Sequence, residues 1–436
     1  MITVQTKPLF STLSKLIKWG NEPTLDSVDD KSKMIITQTA LENTLQKLKG
    51  TIQQYTPKTV KLQYRNFGSN DLPLQTIFYG APGTGKSHKI DGQTNDNNSI
   101  RTTFHPDTDY ATFVGAYKPM MDIVDEYALD ATGKTHQVVY PNGKKSIVYK
   151  FEPQVFLKAY VEAWKRYLNK QESEDDSYYL VIEEINRGNC AQIFGDLFQL
   201  LDREDSGYSS YGISPESSIT KYLAVDARSA DGTKFSDLNF SDVTKDREGD
   251  TKTIATADEL KNGEKLVLPP NLHIWATMNT SDQSLFPIDS AFKRRWDWEY
   301  VPIRNCQDKN WKIEIGEKKY DWWTFLQAIN KSIFDLTKSE DKKLGFFFCK
   351  AHNDIISAET FVGKVFFYLW NDVFKDYDYS PAFFRNENGE LIEYSEYYNE
   401  GGDTPNTKRI QDFIEKVEPK FKEGSSDATP IQEEAR

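Results

Sequence analysis

The stretch Gly80-Ala81-Pro82-Gly83-Thr84-Gly85-Lys86-Ser87 most constrains the fold, because it fills the pattern G-x-x-x-x-G-K-[ST]. The apolar run that precedes it, Leu74 to Tyr79, is typical of a buried strand. A strand, a glycine-rich turn and a segment that can open a helix are the context that a phosphate-binding loop requires. The bland alternative is a chance glycine-rich turn, which this context disfavours. The sequence therefore predicts an α/β fold with a triphosphate site.

Each type of residue in this loop has a physical role in such a site. Glycine lets the backbone wrap around a phosphate so that successive N–H groups point inward. Lys86 can reach the β- and γ-phosphates, and the Ser87 hydroxyl can ligate Mg²⁺. The candidate nucleotide-binding residues are Gly80, Ala81, Pro82, Gly83, Thr84, Gly85, Lys86, Ser87 and His88.

Length and composition narrow the class of protein. The 436 residues suffice for two or three domains, and the net charge of −12 argues against a chain that coats nucleic acid non-specifically. A local basic surface remains compatible with that charge. The three scattered cysteines indicate a reducing compartment rather than a disulfide framework or a zinc site. With no apolar run of membrane-spanning length and no signal-peptide profile, we expect a cytoplasmic protein that does not contact a membrane.

The pattern of apolar and polar residues predicts four parts. They are a short helical N-terminal unit (1–70), an α/β nucleotide-binding domain (71–303) with a polar insertion of little regular structure (203–265), a helical lid domain (304–422) and a disordered tail (423–436).

Two hairpins are also predicted. Asn142-Gly143 between the β-rich arms 138–140 and 147–151 is a turn signal. A second hairpin is predicted near 222–225, inside the insertion.

Two acids, Glu183 and Glu184, follow a buried strand that begins at Tyr178. Taken alone, they could be solvated acids that cap a strand. Combined with the phosphate loop, they predict the second half of a hydrolysis site, because the carboxyl ends of parallel strands lie beside such a loop. Glu183 would hold the metal through water, and Glu184 would orient and deprotonate the attacking water.

A further buried strand runs from Asn271 to Asn279, which would face the γ-phosphate and help to fix the lytic water. The helix that follows ends in Arg294 and Arg295. By residue type alone, this pair is equally well a charge cluster at a helix C-terminus or a set of fingers that reach a neighbouring subunit's nucleotide.

These segments together resemble the McrB-like AAA+ motor subunits of McrBC-type, modification-dependent (type IV) restriction systems. The resemblance runs from about residue 74 to about residue 370 and is colinear, with its signatures at 80–87, 104–119, 180–202 and 278–296. Where this sequence departs from the family pattern, Glu183 replaces Asp, Gln283 replaces Arg and Lys293 replaces the first arginine.

The resemblance implies an AAA+ P-loop NTPase with a helical lid that hydrolyses ATP or GTP with Mg²⁺. It implies a ring, expected to be a hexamer, that drives DNA translocation for a separate McrC-like nuclease subunit. It also implies that Arg294 and Arg295 act in trans, and that Glu184, Asn279 and Asp282 belong to the catalytic set, with Ser87 and Glu183 on the metal. Nuclease activity is not expected in this chain, because the E-x-K match at Glu317 is a short charged turn.

Two functions of other classes compete with this interpretation. One is a remodelling chaperone similar to MoxR-like or dynein-related AAA+ proteins, which would act on a protein substrate. The other is a nucleotide-dependent scaffold without turnover, which Glu184 and Asn279 argue against. A gene for a nuclease-bearing partner beside this one would favour the restriction motor, and one for a von Willebrand-type metal-binding partner would favour the chaperone.

Overall fold

The computed structural model describes residues 73–124, 126–129, 135–138, 144–170, 175–247, 250–280, 286–306, 308–419 and 421. All of them belong to the second of two units into which the chain divides, Arg65–Arg436. The predicted N-terminal helices (within 1–70) and the predicted disordered tail (423–436) lie outside the described residues.

Fourteen strands are found in the described part of the chain. They are β1 (Gln75–Gly80), β2 (Ser99–Thr103), β3 (Gly115–Val124), β4 (Glu126–Leu129), β5 (Thr135–Val138), β6 (Lys144–Pro153), β7 (Tyr178–Glu183), β8 (Val243–Arg247), β9 (Asp250–Ala255), β10 (Leu272–Asn279), β11 (Asp297–Tyr300), β12 (Lys312–Ile315), β13 (Lys318–Asp321) and β14 (Ile355–Ser357).

The α-helices of the same residues are α1 (Lys86–Asp91), α2 (Tyr110–Phe113), α3 (Val155–Asn169), α4 (Cys190–Phe194), α5 (Ser217–Lys221), α6 (Ala257–Lys261), α7 (Ser290–Lys293), α8 (Trp322–Thr337), α9 (Ala358–Thr360) and α10 (Thr407–Val417). Tighter or wider helical turns extend several of them, including Gly195–Leu201 after α4, Tyr222–Asp226 after α5, and Phe361–Phe366 and Leu369–Phe374 after α9. None of these helices has both the length and the apolar character needed to cross a membrane.

A five-stranded parallel sheet in the order β11-β1-β10-β7-β2 forms the centre of the nucleotide-binding part. The inner strands β7 and β10 are almost entirely buried, as expected for parallel strands covered on both faces. Helix α3 packs against the sheet, and its Trp164 Nε1 donates a hydrogen bond to Val267 O at 3.1 Å. The predicted α/β fold with a parallel sheet flanked by helices is confirmed.

Strand register brings the candidate site residues to one edge of this sheet. Gly80 at the end of β1 pairs with Asn279 at the end of β10. Thr103 at the end of β2 pairs with Glu183 at the end of β7. Because all these strands are parallel, their carboxyl ends form one continuous rim.

The predicted hairpin between 138–140 and 147–151 is wrong. Strand β6 instead forms ten antiparallel pairs with β3, and the shorter pair β4–β5 lies between them in the chain. In this ribbon every second residue faces the same way, so the long ladder collects the apolar side chains on one face and the ion pair Lys118–Glu152 on the other. That apolar face is exposed, with Tyr117, Met121, Ile123, Ile147 and Tyr149 each at least half accessible.

The insertion at 203–265 has more regular structure than predicted. Residues 222–225 are helical rather than a hairpin, because Ile219, Tyr222 and Leu223 repeat at helical spacing and are buried. The hairpin of this segment is β8–β9. Its buried side chains belong to the same core cluster as those of the sheet and α3.

A second core cluster, formed by residues between Trp311 and Val417, lies in the C-terminal part, which we call the lid. The lid is not purely helical as predicted, because β12 pairs with β13 and β14. Ile313 and Ile315 alternate with polar residues, a strand period, and Gly316 turns the chain with a φ of 61°. Glu317 lies exposed in this turn.

Candidate functional site: a triphosphate-binding rim

The phosphate loop connects β1 to α1, and its backbone needs glycine at two points. Gly83 and Gly85 have φ values of 79° and 89°, in the left-handed region that side chains disfavour. A Cβ atom on Gly83 would lie 2.4 Å from the backbone nitrogen of Phe348 in the lid. The lid also donates two hydrogen bonds to the loop, from Gly345 N to Pro82 O and from Phe347 N to Gly83 O, both at 2.8 Å.

Lys86 lies inside this loop. Its side chain is buried, and Nζ donates to Gly80 O at 3.1 Å and to Ala81 O at 3.0 Å. Burial lowers the pKa of Lys86 to about 8, while the charges of Glu184 and Glu183 oppose the shift. The ammonium can exchange these two carbonyl contacts for phosphate oxygens.

The remaining loop residues differ in exposure. Thr84 Oγ1 donates to Ala81 O at 3.1 Å and so braces the loop from within. Ser87 and His88 are exposed on the first turn of α1. Ser87 faces the acids, since its Oγ donates to Glu183 Oε2 at 3.0 Å, whereas no side-chain contact of His88 is found among the described residues.

Glu183 carries hydroxyl donors on one carboxylate oxygen and a cation on the other. Thr277 Oγ1 joins Ser87 in donating to Glu183 Oε2, at 2.5 Å, and Arg101 forms an ion pair with Oε1. Carboxylate and hydroxyl oxygens are the ligands that Mg²⁺ takes beside substrate phosphates. Ser87 and Glu183 therefore fit the predicted metal site.

Glu184 is held in a strained geometry beside them. Its φ of 55° and ψ of 49° place a non-glycine residue in the left-handed region, as is common at functional sites. Asn279 Nδ2 donates to Glu184 Oε1 at 2.6 Å, and Arg187 Nε lies 3.7 Å from Oε2. The structure thus brings the two predicted catalytic side chains, Glu184 and Asn279, into direct contact.

The segments behind this pair are tied together. Asn186 Nδ2 donates to Asn279 O at 2.8 Å, and the backbone nitrogen of Phe286 donates to Asn186 O at 2.9 Å. Asn186 therefore fixes the end of β10 and the chain beyond it. Asp282 and Gln283 fall in 281–285, outside the described residues.

The two arginines after α7 have different surroundings. Arg295 is largely buried, pairs with Asp202 at 2.7 Å and lies 3.9 Å from the ring centre of Phe198. Arg294 is exposed, and the described residues offer its side chain no hydrogen bond or ion pair. Only Arg294 is therefore available to another subunit in this arrangement.

Three residues of the site were missed from the sequence: Thr277, Arg101 and Asn186. Thr277 precedes Asn279 by two residues and so faces the same side of β10, a period that could have indicated it. Arg101 acts across a strand pair, and only the register of β2 on β7 brings it to Glu183.

Comparisons with known proteins show which proteins this chain resembles. No family model matches the chain. It is 34% identical over 350 residues to the Type II restriction enzyme BsuMI component YdiS of Bacillus subtilis (strain 168). The matched stretch covers 76% of this chain and 85% of that protein. It is 20% identical over 229 residues to the Type IV methyl-directed restriction enzyme EcoKMcrB subunit of Escherichia coli (strain K12), covering 51% of this chain and 34% of that subunit.

Among solved structures, a candidate ATPase from Cytophaga hutchinsonii matches with a TM-score of 0.21 and 13% identity over 53% of this chain and 42% of that one. The match to the Bacillus protein extends over most of both chains. On that similarity, the chain belongs to the McrB-like family of restriction-system subunits.

Proposed function

We propose that this protein is a Mg²⁺-dependent nucleoside triphosphatase, acting on ATP or GTP, and the ring-forming motor subunit of an McrBC-like DNA restriction system. It would drive DNA translocation for a separate nuclease subunit. The observation that carries the proposal is the contact of 2.6 Å between Asn279 Nδ2 and Glu184 Oε1 beside the phosphate loop. An attacking water needs a carboxylate that can accept its proton, and an amide donor can hold that carboxylate in place.

Each part of the rim has a role in this reaction. The loop backbone and Lys86 bind the β- and γ-phosphates, and Ser87 and Glu183 hold the metal. Bound Mg²⁺ neutralises charge on the phosphate oxygens. Glu184 accepts the proton of the attacking water, and Asn279 keeps the Glu184 carboxylate oriented toward the γ-phosphate.

Assembly into a ring, a hexamer by resemblance to the family, is supported by two surface features. Arg294 is exposed and can act as a finger on a neighbour's γ-phosphate. The apolar face of the β3–β6 ribbon leaves large side chains such as Met121 and Tyr149 accessible, and such patches mark interaction surfaces. The names of the relatives, a component and a subunit, support a separate nuclease partner.

The variant Glu184→Gln tests the assignment of the base. The amide preserves shape and removes the proton acceptor, so we expect triphosphate binding to persist while turnover falls by roughly 10²-fold or more. Binding is measured by calorimetry with a non-hydrolysable analogue and turnover by phosphate release. Lys86→Ala is the matched control and should lose binding itself. Turnover of Glu184→Gln within a few-fold of wild type would contradict the role of Glu184.

Mixing two inactive variants tests the ring. Arg294→Ala keeps its own phosphate loop and base, whereas Glu184→Gln keeps its finger. Mixed rings should recover activity at interfaces that join an intact Glu184 to a neighbour's Arg294, since loss of a finger commonly costs on the order of 10³-fold. If mass measurements demonstrate mixed rings and the mixture stays inactive, the trans role of Arg294 is wrong.

A further inference from the structure

Arg101 joins two carboxylates that belong to different elements. It lies in the middle of the edge strand β2, and its Nη2 is 2.6 Å from Asp91 Oδ1 at the end of α1. Its Nη1 forms an ion pair with Glu183 Oε1 at the end of β7. Arg101 therefore ties the phosphate-loop helix to the strand that ends in Glu183 and is followed by Glu184.

Together with Ser87, Arg101 connects both ends of one face of α1 to Glu183. Ser87 and Asp91 are four residues apart and so lie on one face of that helix. Ser87 Oγ donates to Glu183 Oε2, Arg101 bonds Glu183 Oε1, and Arg101 also bonds Asp91. The two oxygens of Glu183 thus have separate partners, and only Oε2 faces the hydroxyl that would ligate a metal.

We propose that Arg101 is a positioning residue that fixes the Glu183 carboxylate so that Oε2 points toward the divalent cation. The inference rests on the proposed function. Glu183 stands where the family pattern has Asp, so its side chain has one more torsion to immobilise. A planar guanidinium with two separate donors is suited to that task, because it spans Glu183 and Asp91 at once. We call Arg101 and Glu183 a matched pair, because the effect of Arg101 on the metal depends on the Glu183 side chain.

The direction of the change in metal affinity distinguishes a positioning role of Arg101 from a direct effect of its charge. Removing a positive charge beside a metal site increases the attraction of the site for a cation. A loss of metal affinity on removing Arg101 therefore cannot come from charge, and it follows from a misplaced Glu183. A gain in affinity would mean that Arg101 competes with the metal.

The test uses Mn²⁺ as the probe and the full chain with a non-hydrolysable triphosphate. Free Mn²⁺ is measured by electron paramagnetic resonance during titration. We expect Arg101→Met to weaken Mn²⁺ binding by about tenfold, in the range found when a partner of a metal ligand is removed. Arg101→Lys, which keeps the charge and a single donor, should fall between Arg101→Met and wild type.

A double-mutant cycle tests the matched pair. In a Glu183→Asp background, the shorter acid no longer reaches Arg101, so adding Arg101→Met should change Mn²⁺ affinity by less than about threefold. Equal losses in both backgrounds would overturn the inference, because they would show an effect that does not pass through the Glu183 side chain. Unchanged or tighter Mn²⁺ binding by Arg101→Met would overturn it as well.

The control is Arg166→Met, which removes a partly buried arginine remote from the site. Arg166 Nε lies 3.3 Å from Oε1 of its acidic partner, Glu162. It should keep Mn²⁺ affinity, and thermal unfolding of all variants shows whether each is folded. Metal-free triphosphate binding by the wild type is measured first. If the wild type does not bind the triphosphate, the proposed function is contradicted. If the wild type binds it and Arg101→Met keeps the wild-type Mn²⁺ affinity, only the role of Arg101 is contradicted.

Discussion

Proton uptake at Lys86 is a direct test of the phosphate site. Burial lowers the pKa of Lys86 to about 8, against the raising effect of Glu184 and Glu183. In the ligand-free protein, about nine tenths of the side chains are therefore ammonium at pH 7 and about one tenth at pH 9. A bound triphosphate surrounds Nζ with anionic oxygens and raises this pKa, so binding above pH 8 must take up a proton.

The size of the effect follows from the pKa. With the bound form fully protonated, the apparent dissociation constant should rise about tenfold between pH 7 and pH 9, which is about 1.4 kcal/mol of binding free energy. Uptake should be about 0.1 proton per site at pH 7 and about 0.75 at pH 8.5. The triphosphate itself contributes little over this range, because the last phosphate ionisation lies near pH 6.

Calorimetry measures the uptake directly. Binding of a non-hydrolysable triphosphate is titrated with EDTA present, in two buffers that differ in ionisation enthalpy, and the difference in heat gives the protons taken up. Lys86→Arg is the control, because a guanidinium stays charged at these pH values and should give no uptake. Uptake near zero at pH 8.5 for the wild type would refute the reasoning, since Lys86 would then already be fully charged in the free protein.

Two other predictions concern stability. Arg295→Met should lower the free energy of unfolding in urea by about 1–3 kcal/mol, because it leaves Asp202 without its partner. Arg294→Met should leave that free energy unchanged within about 0.5 kcal/mol. A larger loss for Arg294→Met than for Arg295→Met would contradict their separate roles. Gly83→Ala should lower the free energy of unfolding by at least about 1–2 kcal/mol, through the positive φ of Gly83 and the clash with Phe348. Gly92→Ala, at a helical φ of −66°, should be neutral or stabilising. Equal unfolding curves for the two variants would contradict the close contact between the loop and the lid.

The parts of the site that are contiguous in sequence could be predicted from it. The phosphate loop needs only eight neighbouring residues, and Glu183, Glu184 and Asn279 follow from the rule that parallel strands end at one edge. Thr277 could have been found from its two-residue period with Asn279, whereas Arg101 could not, because its partner is fixed by register and not by spacing.

The difference between Arg294 and Arg295 was also beyond the sequence. It depends on Asp202 and Phe198, about ninety residues earlier in the chain, which reach the guanidinium of Arg295 only after the fold has formed. The same holds for the insertion, where polar composition concealed buried residues such as Phe235 and Leu260 that belong to the main core. Composition averages over a segment, whereas burial is decided residue by residue.

The phosphate loop is the place where the two cores of the described chain meet. Its inner side faces Lys86 and the acids, and its outer carbonyls, on Pro82 and Gly83, accept hydrogen bonds from Gly345 and Phe347 of the lid. A loop held from both sides cannot change its backbone on binding phosphate without changing these lid contacts, because interiors this closely packed have no room to absorb the shift. The close approach of Gly345 to Gly83, where a Cβ on Gly345 would lie 2.2 Å from Gly83 C, leaves no room for such a shift to stay local. We therefore expect any change of the loop backbone on triphosphate binding to alter the contacts of Gly345 and Phe347 in the lid.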